Sequence, residues 1–216
     1  MTDAHFHRNQ YDTYLVRDGR EVRFFGIHPW EAAAAPADRL AAVRDAVARD
    51  PAAGVGEIGL DRLRTKAVPD AQRTLFAAQL AIAAEFGRPA VLHGAKCWGE
   101  VVKACAPYRG RVPAFLFHGF SRSGGLLPDI VALNGFVSVG PAVCNDHAVN
   151  YRELVKEIPL DRLLVETDAD VSAPPEDGAP GAREVLLKLA EVRGMSADEL
   201  AAAVDTNAAR FAEARA

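Results

Sequence analysis

Thr13–Pro29, "TYLVRDGREVRFFGIHP", contains two apolar runs that read as strands, "TYLV" and "VRFFGIHP", with only "RDGRE" between them. A parallel crossover needs roughly a dozen residues or more, so this pair reads as an antiparallel hairpin turning at Asp18-Gly19. On either side of it the pattern changes. "DAHFH" precedes it, and "AGVGEIGLD", "PAVLHG", "AFLFHGF", "GFVSVGP" and "LLVETDA" follow, with longer segments rich in Ala, Leu, Glu and Arg between them. Such alternation is the mark of βα units building a parallel sheet. A full (β/α)₈ barrel takes eight parallel strands, typically in about 250 residues. With "VRFFGIHP" included, the runs supply one parallel strand too few. The expected fold is therefore α/β, a TIM-like (β/α) barrel reduced or distorted near its second strand.

The intervening segments support that reading. "DAQRTLFAAQLAIAAEFG" sets Leu75, Phe76, Leu80, Ile82, Ala83 and Phe86 on one helical face and stops at Gly87, with Pro89 beyond. Further helices are expected over 38–48, 98–106, 125–133, 148–158 and 183–192. Ser196 and Glu199 form a capping box that opens a last one. "DVSAPPEDGAPGA" is the one Pro/Gly-rich stretch and has the length of a loop, so residues 1–216 read as a single domain. The 216 residues are 50% hydrophobic, 25% charged and 7% aromatic, ordinary for a soluble globular domain. No apolar run approaches the roughly 20 residues that span a bilayer. Three cysteines without a C-x-x-C pair suggest a reducing, cytoplasmic setting. A net charge of −4 argues against a broad electrostatic grip on duplex nucleic acid and leaves room for local capture of phosphate.

Five of the six histidines, His5, His7, His28, His93 and His118, fall in or at the end of expected strands, as do Glu57 and Asp168. In a parallel barrel the carboxyl ends of all strands open on one face, so these groups converge. A lone histidine in a strand is more often a satisfied core residue than a ligand. So many polar groups gathered together are costly to bury without a shared partner, and a metal is the simplest one. Imidazole and carboxylate without thiolate suit zinc, manganese, iron or cobalt. Six candidate ligands exceed the three protein ligands of a catalytic zinc, so two adjacent ions are expected, with water activation and hydrolysis as their chemistry.

The same motifs, "DAHFH", "GIHPW", "GEIGLD", "VLHGAKCWGEVV", "FHGFSRS", "LLVETD" and "TNAARF", run in order along nearly the whole chain. As an ordered set they resemble the TatD family of metal-dependent deoxyribonucleases, part of the amidohydrolase-like barrel enzymes. The resemblance implies that His5 and His7 ligate one metal, that Glu57 bridges, and that His93 and His118 ligate the second. Asp168 would bind metal and take the proton of the attacking water, and His28 would face a substrate phosphate. Two divalent ions (Zn, Mn or Mg) and a DNA substrate, single-stranded or at ends, or a small phosphoester, follow from it. Two departures stand out. Lys96 lies three residues after His93, where members often carry arginine two residues on. The chain is also short around Arg8–Arg23.

Other residues invite weaker readings. Lys96 and Arg122, in loops on the active face, suit a substrate phosphate. Arg62, Arg64 and Lys66 read as a solvated basic loop. Glu166 shares a strand face with Asp168 and suits either orienting a ligating histidine or a structural role deeper in the barrel. Trp30 and Trp98 are capable of stacking on a base, although packing is the commoner use of tryptophan. His147 is expected in solvent, with Asp146 as a helix cap. The function expected is hydrolysis of a phosphoester, with DNA as substrate. Two alternatives stand beside it: an amidohydrolase cleaving an amide, ester or lactone with the same metal pair, and a metal-binding domain without turnover.

Overall fold

The computed structural model describes residues 1–9, 12–34, 37–63, 65–121, 124–171 and 179–216. Eight strands form one sheet in chain order: β1 Asp3–Asn9, β2 Asp12–Arg17, β3 Arg20–Phe25, β4 Gly54–Asp61, β5 Ala90–Ala95, β6 Phe115–Phe117, β7 Gly135–Val139 and β8 Leu163–Val165. β2 runs antiparallel to both β1 and β3, while every pair from β3 to β8 is parallel. The distortion expected near the second strand is thus one reversed strand where a βα unit would stand. Its turn uses Asp18 and Gly19, both at positive φ (51° and 73°), as a two-residue hairpin of the right twist requires.

Backbone bonds nearly close the barrel. His7 N donates to Ala169 O (2.8 Å), Asp168 N to His5 O (3.0 Å) and Val171 N to His7 O (2.8 Å). These bonds stitch β1 to the segment just beyond β8, so His5 and His7 meet Asp168. All eight residues of β4 are buried, as expected of a barrel strand covered on both faces.

The helices are α1 Ala37–Arg49, α2 Asp70–Glu85, α3 Trp98–Cys105, α4 Leu127–Ala132, α5 Val149–Glu157, α6 Ala182–Arg193 and α7 Ala197–Ala212. Helix α7 opens on the expected capping box of Ser196 and Glu199. Helix α2 packs Phe76, Leu80, Ile82 and Ala83 against the barrel, and it also buries two glutamines that the apolar pattern does not reveal. Gln79 exchanges two hydrogen bonds with the Ile27 backbone (2.7 and 3.0 Å), and Gln72 accepts from Asp61 N (2.8 Å). Buried amides here replace lost water and fix the ends of β3 and β4 beside the site. At the opposite end of the barrel, buried Asn207 in "TNAARF" donates to Leu160 O (2.8 Å) and Leu163 O (2.9 Å). Phe211 of the same motif stacks on Phe24. Asp146 caps no helix: α5 begins after Ala148 with no side-chain cap, and Asn145 accepts from His147 N (2.9 Å). Most of the Pro/Gly-rich loop lies outside the described residues, as do Arg64 and Arg122. Among the described residues no helix is long and apolar enough to cross a membrane.

Candidate metal centre

The carboxyl ends of the strands bring together His5, His7, His28, Glu57, His93, His118 and Asp168. The Glu57 carboxylate lies at the middle of them. Its Oε2 stands 3.4 Å from His5 Nε2 and 3.6 Å from His7 Nε2. Asp168 Oδ1 is 3.4 Å from each of those nitrogens, which are themselves 3.1 Å apart. In a tetrahedral site with metal–ligand bonds of about 2.0–2.1 Å, ligand atoms stand about 3.3–3.4 Å from one another. His5 Nε2, His7 Nε2 and Glu57 Oε2 therefore match three corners of a shell around one small divalent cation, with Asp168 Oδ1 beside the two nitrogens.

Oε1 of the same carboxylate faces a second set. It lies 2.6 Å from both His93 Nδ1 and His118 Nε2 and 3.6 Å from His28 Nε2. His28 Nε2 is 3.4 Å from His93 Nδ1. Here the 2.6 Å contacts are hydrogen bonds, tighter than the edges of a coordination shell. Three groups, His5–His7–Glu57, His5–His118–Asp168 and His28–Glu57–His93, each gather ligand atoms within 4.8 Å of one another.

The ring tautomers suit ligation as well. A metal-binding histidine usually donates its other N–H to a carboxylate or backbone carbonyl. His7 Nδ1 donates to Asp12 O (3.1 Å), and His93 Nε2 donates to Asp61 Oδ2 (3.0 Å). The second nitrogen of each faces Glu57; on His93 it carries the proton of the 2.6 Å bond to Oε1, which a bound cation would displace. His28 is the reverse case: its Nδ1 accepts from Trp30 N (3.2 Å), so Nε2 carries the proton toward the cluster. Nδ1 of His5 and of His118 are buried and have no partner within hydrogen-bond reach among the described residues.

Charge is balanced by proximity. Burial would raise the Glu57 pKa, yet His118, His28 and His5 hold it well below the ordinary carboxylate range. Burial and neighbouring His118 push His5 down, and the Asp168 and Glu57 carboxylates outweigh them and hold it up at about 9. Desolvation also opposes the shift of Asp168, which His5 and His7 hold low. Opposite charges thus sit together in one small volume at His5, Glu57, His118 and Asp168, a donor set able to exchange protons for cations.

The family described as TatD related DNase matches residues 2–213. The chain belongs to the TatD-related DNase family. It is 32% identical over 196 residues to the 3'-5' ssDNA/RNA exonuclease TatD of Dickeya dadantii, covering 86% of this chain and 74% of that protein. It is 30% identical over 191 residues to the metal-dependent hydrolase YabD of Bacillus subtilis, with coverage of 86% and 75%. Among solved structures it resembles YjjV, the TatD homologue of Escherichia coli, at a TM-score of 0.75 and 28% identity, over 87% of this chain and 75% of that one. A TatD family hydrolase from Entamoeba histolytica, 15% identical with a TM-score of 0.68, shares the fold.

In this TatD-family chain the centre opens into clefts on the carboxyl face. One, of about 850 Å³, is lined by Arg62, Lys96, His93, His118 and Asp168, so Lys96 sits on the rim, exposed and at positive φ (57°). A neighbour of about 920 Å³ runs from Gly119 and Asp168 to His147 and Tyr151. Asp168 is half exposed at their junction.

Glu166 acts differently from the expected orienter of a histidine. It lies 3.8 Å from His118 Nδ1, beyond hydrogen-bond reach, and instead accepts from Gly119 N (2.7 Å) and Ser138 Oγ (2.5 Å). It holds the backbone that follows His118. Two positioning carboxylates were missed in the sequence. Asp61, the last residue of "GEIGLD", accepts from His93, from Trp30 Nε1 (2.7 Å) and from Leu63 N (2.6 Å), and these contacts bring its pKa to about 2 against the opposing effect of burial. Asp3 accepts from Thr167 N (3.0 Å) and Thr167 Oγ1 (2.7 Å), the residue before Asp168. A signal for Asp3 was present, since Asp3, His5 and His7 alternate along one strand face. Trp98 is buried against Phe117 and Phe120, as packing predicts, whereas Trp30 is 58% exposed.

Proposed function

We propose that residues 1–216 act as one catalytic domain that hydrolyses phosphodiester bonds in single-stranded DNA or RNA, working from an end. As a member of the TatD-related DNase family the chain is a metal-dependent hydrolase of ester bonds; the proposal adds strand state, end preference and residue roles. The carrying observation is the division of Glu57: one oxygen turns to His5, His7 and Asp168, the other to His93, His118 and His28. One carboxylate serving two donor sets suits two adjacent divalent cations, zinc, manganese or magnesium, held by His5, His7, Glu57, His93, His118 and Asp168. When bound, such a pair polarises a phosphoryl oxygen and acidifies water near neutral pH.

The chain's own side chains do the rest. Asp168, ionised and half exposed where the clefts meet, accepts the proton of the attacking water. His28 donates from Nε2 to a phosphate oxygen, and Lys96 on the rim offsets a second phosphate charge. Arg122, outside the described residues, is assigned the same task from its loop. Asp61 fixes the His93 ring, and Asp3 with Thr167 fixes the backbone ahead of Asp168. Three unpaired cysteines suit work in the cytoplasm. Rim cations and an exposed indole favour a nucleic acid over the enclosed apolar pocket that an amide or lactone substrate would call for.

The test is metal analysis of the purified protein with assays on 3'-labelled single-stranded DNA and RNA and on a panel of phosphoesters, amides and lactones. Asp168→Asn is expected to lower kcat on oligonucleotides by at least about 100-fold, the low end of general-base contributions. Unaltered cleavage by that variant would sink the mechanism, and activity confined to amides or lactones would sink the substrate.

A further inference from the structure

Two large apolar side chains stand open beside this polar centre. Trp30 is 58% exposed and Leu63 52%. One buried carboxylate ties both to the reacting groups: Asp61 Oδ2 accepts from the Trp30 indole and from His93, while Oδ1 accepts from Leu63 N. The indole also meets the His28 ring edge to face, with centroids 4.6 Å apart and planes at 75°. A surface tryptophan held at its N–H and against a neighbouring ring keeps one attitude, and so loses little entropy when a flat ligand docks. It borders a cleft of about 340 Å³ shared with His28, Glu57, His93 and Asp168. That space accepts one heterocycle.

We propose that Trp30 is the stacking platform for the nucleobase of the nucleotide whose phosphate lies at the cluster. This rests on the nuclease reading above and deepens it. Stacking uses the π-face that every base presents, so the platform tolerates all four bases. It does require that face to be free. A terminal base stacked and paired in a duplex must first be detached, so the platform favours single strands and frayed ends. Asp61 sets the distance between platform and His93, so a base docked on Trp30 keeps its own phosphate in the cleft shared with His28 and the cluster.

The experiment compares wild type, Trp30→Phe and Trp30→Ala on two oligonucleotides that differ only in carrying an ordinary or an abasic 3'-terminal nucleotide. Trp30→Ala is expected to raise KM for the ordinary end by about 5- to 100-fold more than KM for the abasic end, a ratio that lost support at Asp61 and His93, felt equally by both substrates, does not move; Trp30→Phe falls between. Equal changes on both substrates would overturn the platform, leaving Trp30 as a support for Asp61 and His93. Equal KM on both substrates in all three proteins would overturn it too. Fluorescence titration with a phosphorothioate oligonucleotide that resists cleavage supplies a reading independent of turnover. Quenching in wild type, lost in Trp30→Phe and with the abasic end, supports the platform, and its absence overturns it. Should wild type cleave neither substrate, the nuclease reading fails and the fluorescence alone decides on the platform.

Discussion

Asp61 shows how one side chain governs several others. Its carboxylate receives an imidazole, an indole and a backbone N–H, so a change there is felt at His93, at Trp30 and in the loop that starts with Arg62. Asp61→Asn keeps the size and loses the charge that fixes the His93 tautomer. Outer partners of this kind typically change metal affinity or activity by about 10- to 100-fold. The variant is therefore expected to release metal to a chelator at about 10- to 100-fold lower chelator concentration, as measured by metal analysis after dialysis. Sequence alone hid this residue because a carboxylate at a strand end looks the same whether it meets metal, histidine or water. His5, His7, Glu57, His93, His118 and Asp168 were legible for the opposite reason: their types recur at equivalent strand ends, and the topology leaves them one place to meet. The partners of Gln72 and Gln79 were not legible, since a helix pattern reports apolar faces and is silent on amides that bond to neighbouring strands.

The hairpin of β2 and β3 is the element that sets this barrel apart, and the spacing of Thr13–Pro29 revealed it because chain length forbids a helical crossover. What spacing left open was that β2 takes a place in the barrel wall between β1 and β3. That depends on Leu15, fully buried toward the core, and on the alternating burial of its strand. Gly19, at φ 73° with nothing near its missing side chain, is retained for its backbone alone. Gly19→Ala is expected to lower unfolding free energy by about 1–2 kcal/mol in urea titration. Its turn sits at the start of β3, the end of the barrel away from the site, so kcat and KM should hold. A different need acts at Gly59, where a Cβ would fall 2.0 Å from His93 O, so the close approach of β4 and β5 beside Glu57 admits no side chain there.

Across the whole molecule the two ends of the barrel divide their tasks. "TNAARF" matched the family motifs as strongly as the ligand runs, yet Asn207 and Phe211 lie far from the metal centre and bind β8 and the core. Asn207→Ala takes the side-chain donor from the carbonyls of Leu160, which keeps the Leu163 N–H, and of Leu163. A loss of about 1–3 kcal/mol in stability is expected from the urea midpoint, with kcat on single-stranded DNA within twofold of wild type. The bonds from His5 and His7 to Asp168, Ala169 and Val171 carry a different consequence, one of timing. During synthesis the first histidines leave the ribosome long before their partners, and they remain an unfinished half-site until residues 163–171 have been added. A ribosome-bound fragment ending earlier holds all five histidines of the cluster and Glu57 but no Asp168. Any step that needs Asp168 therefore waits until the segment beyond β8 has emerged and paired with β1.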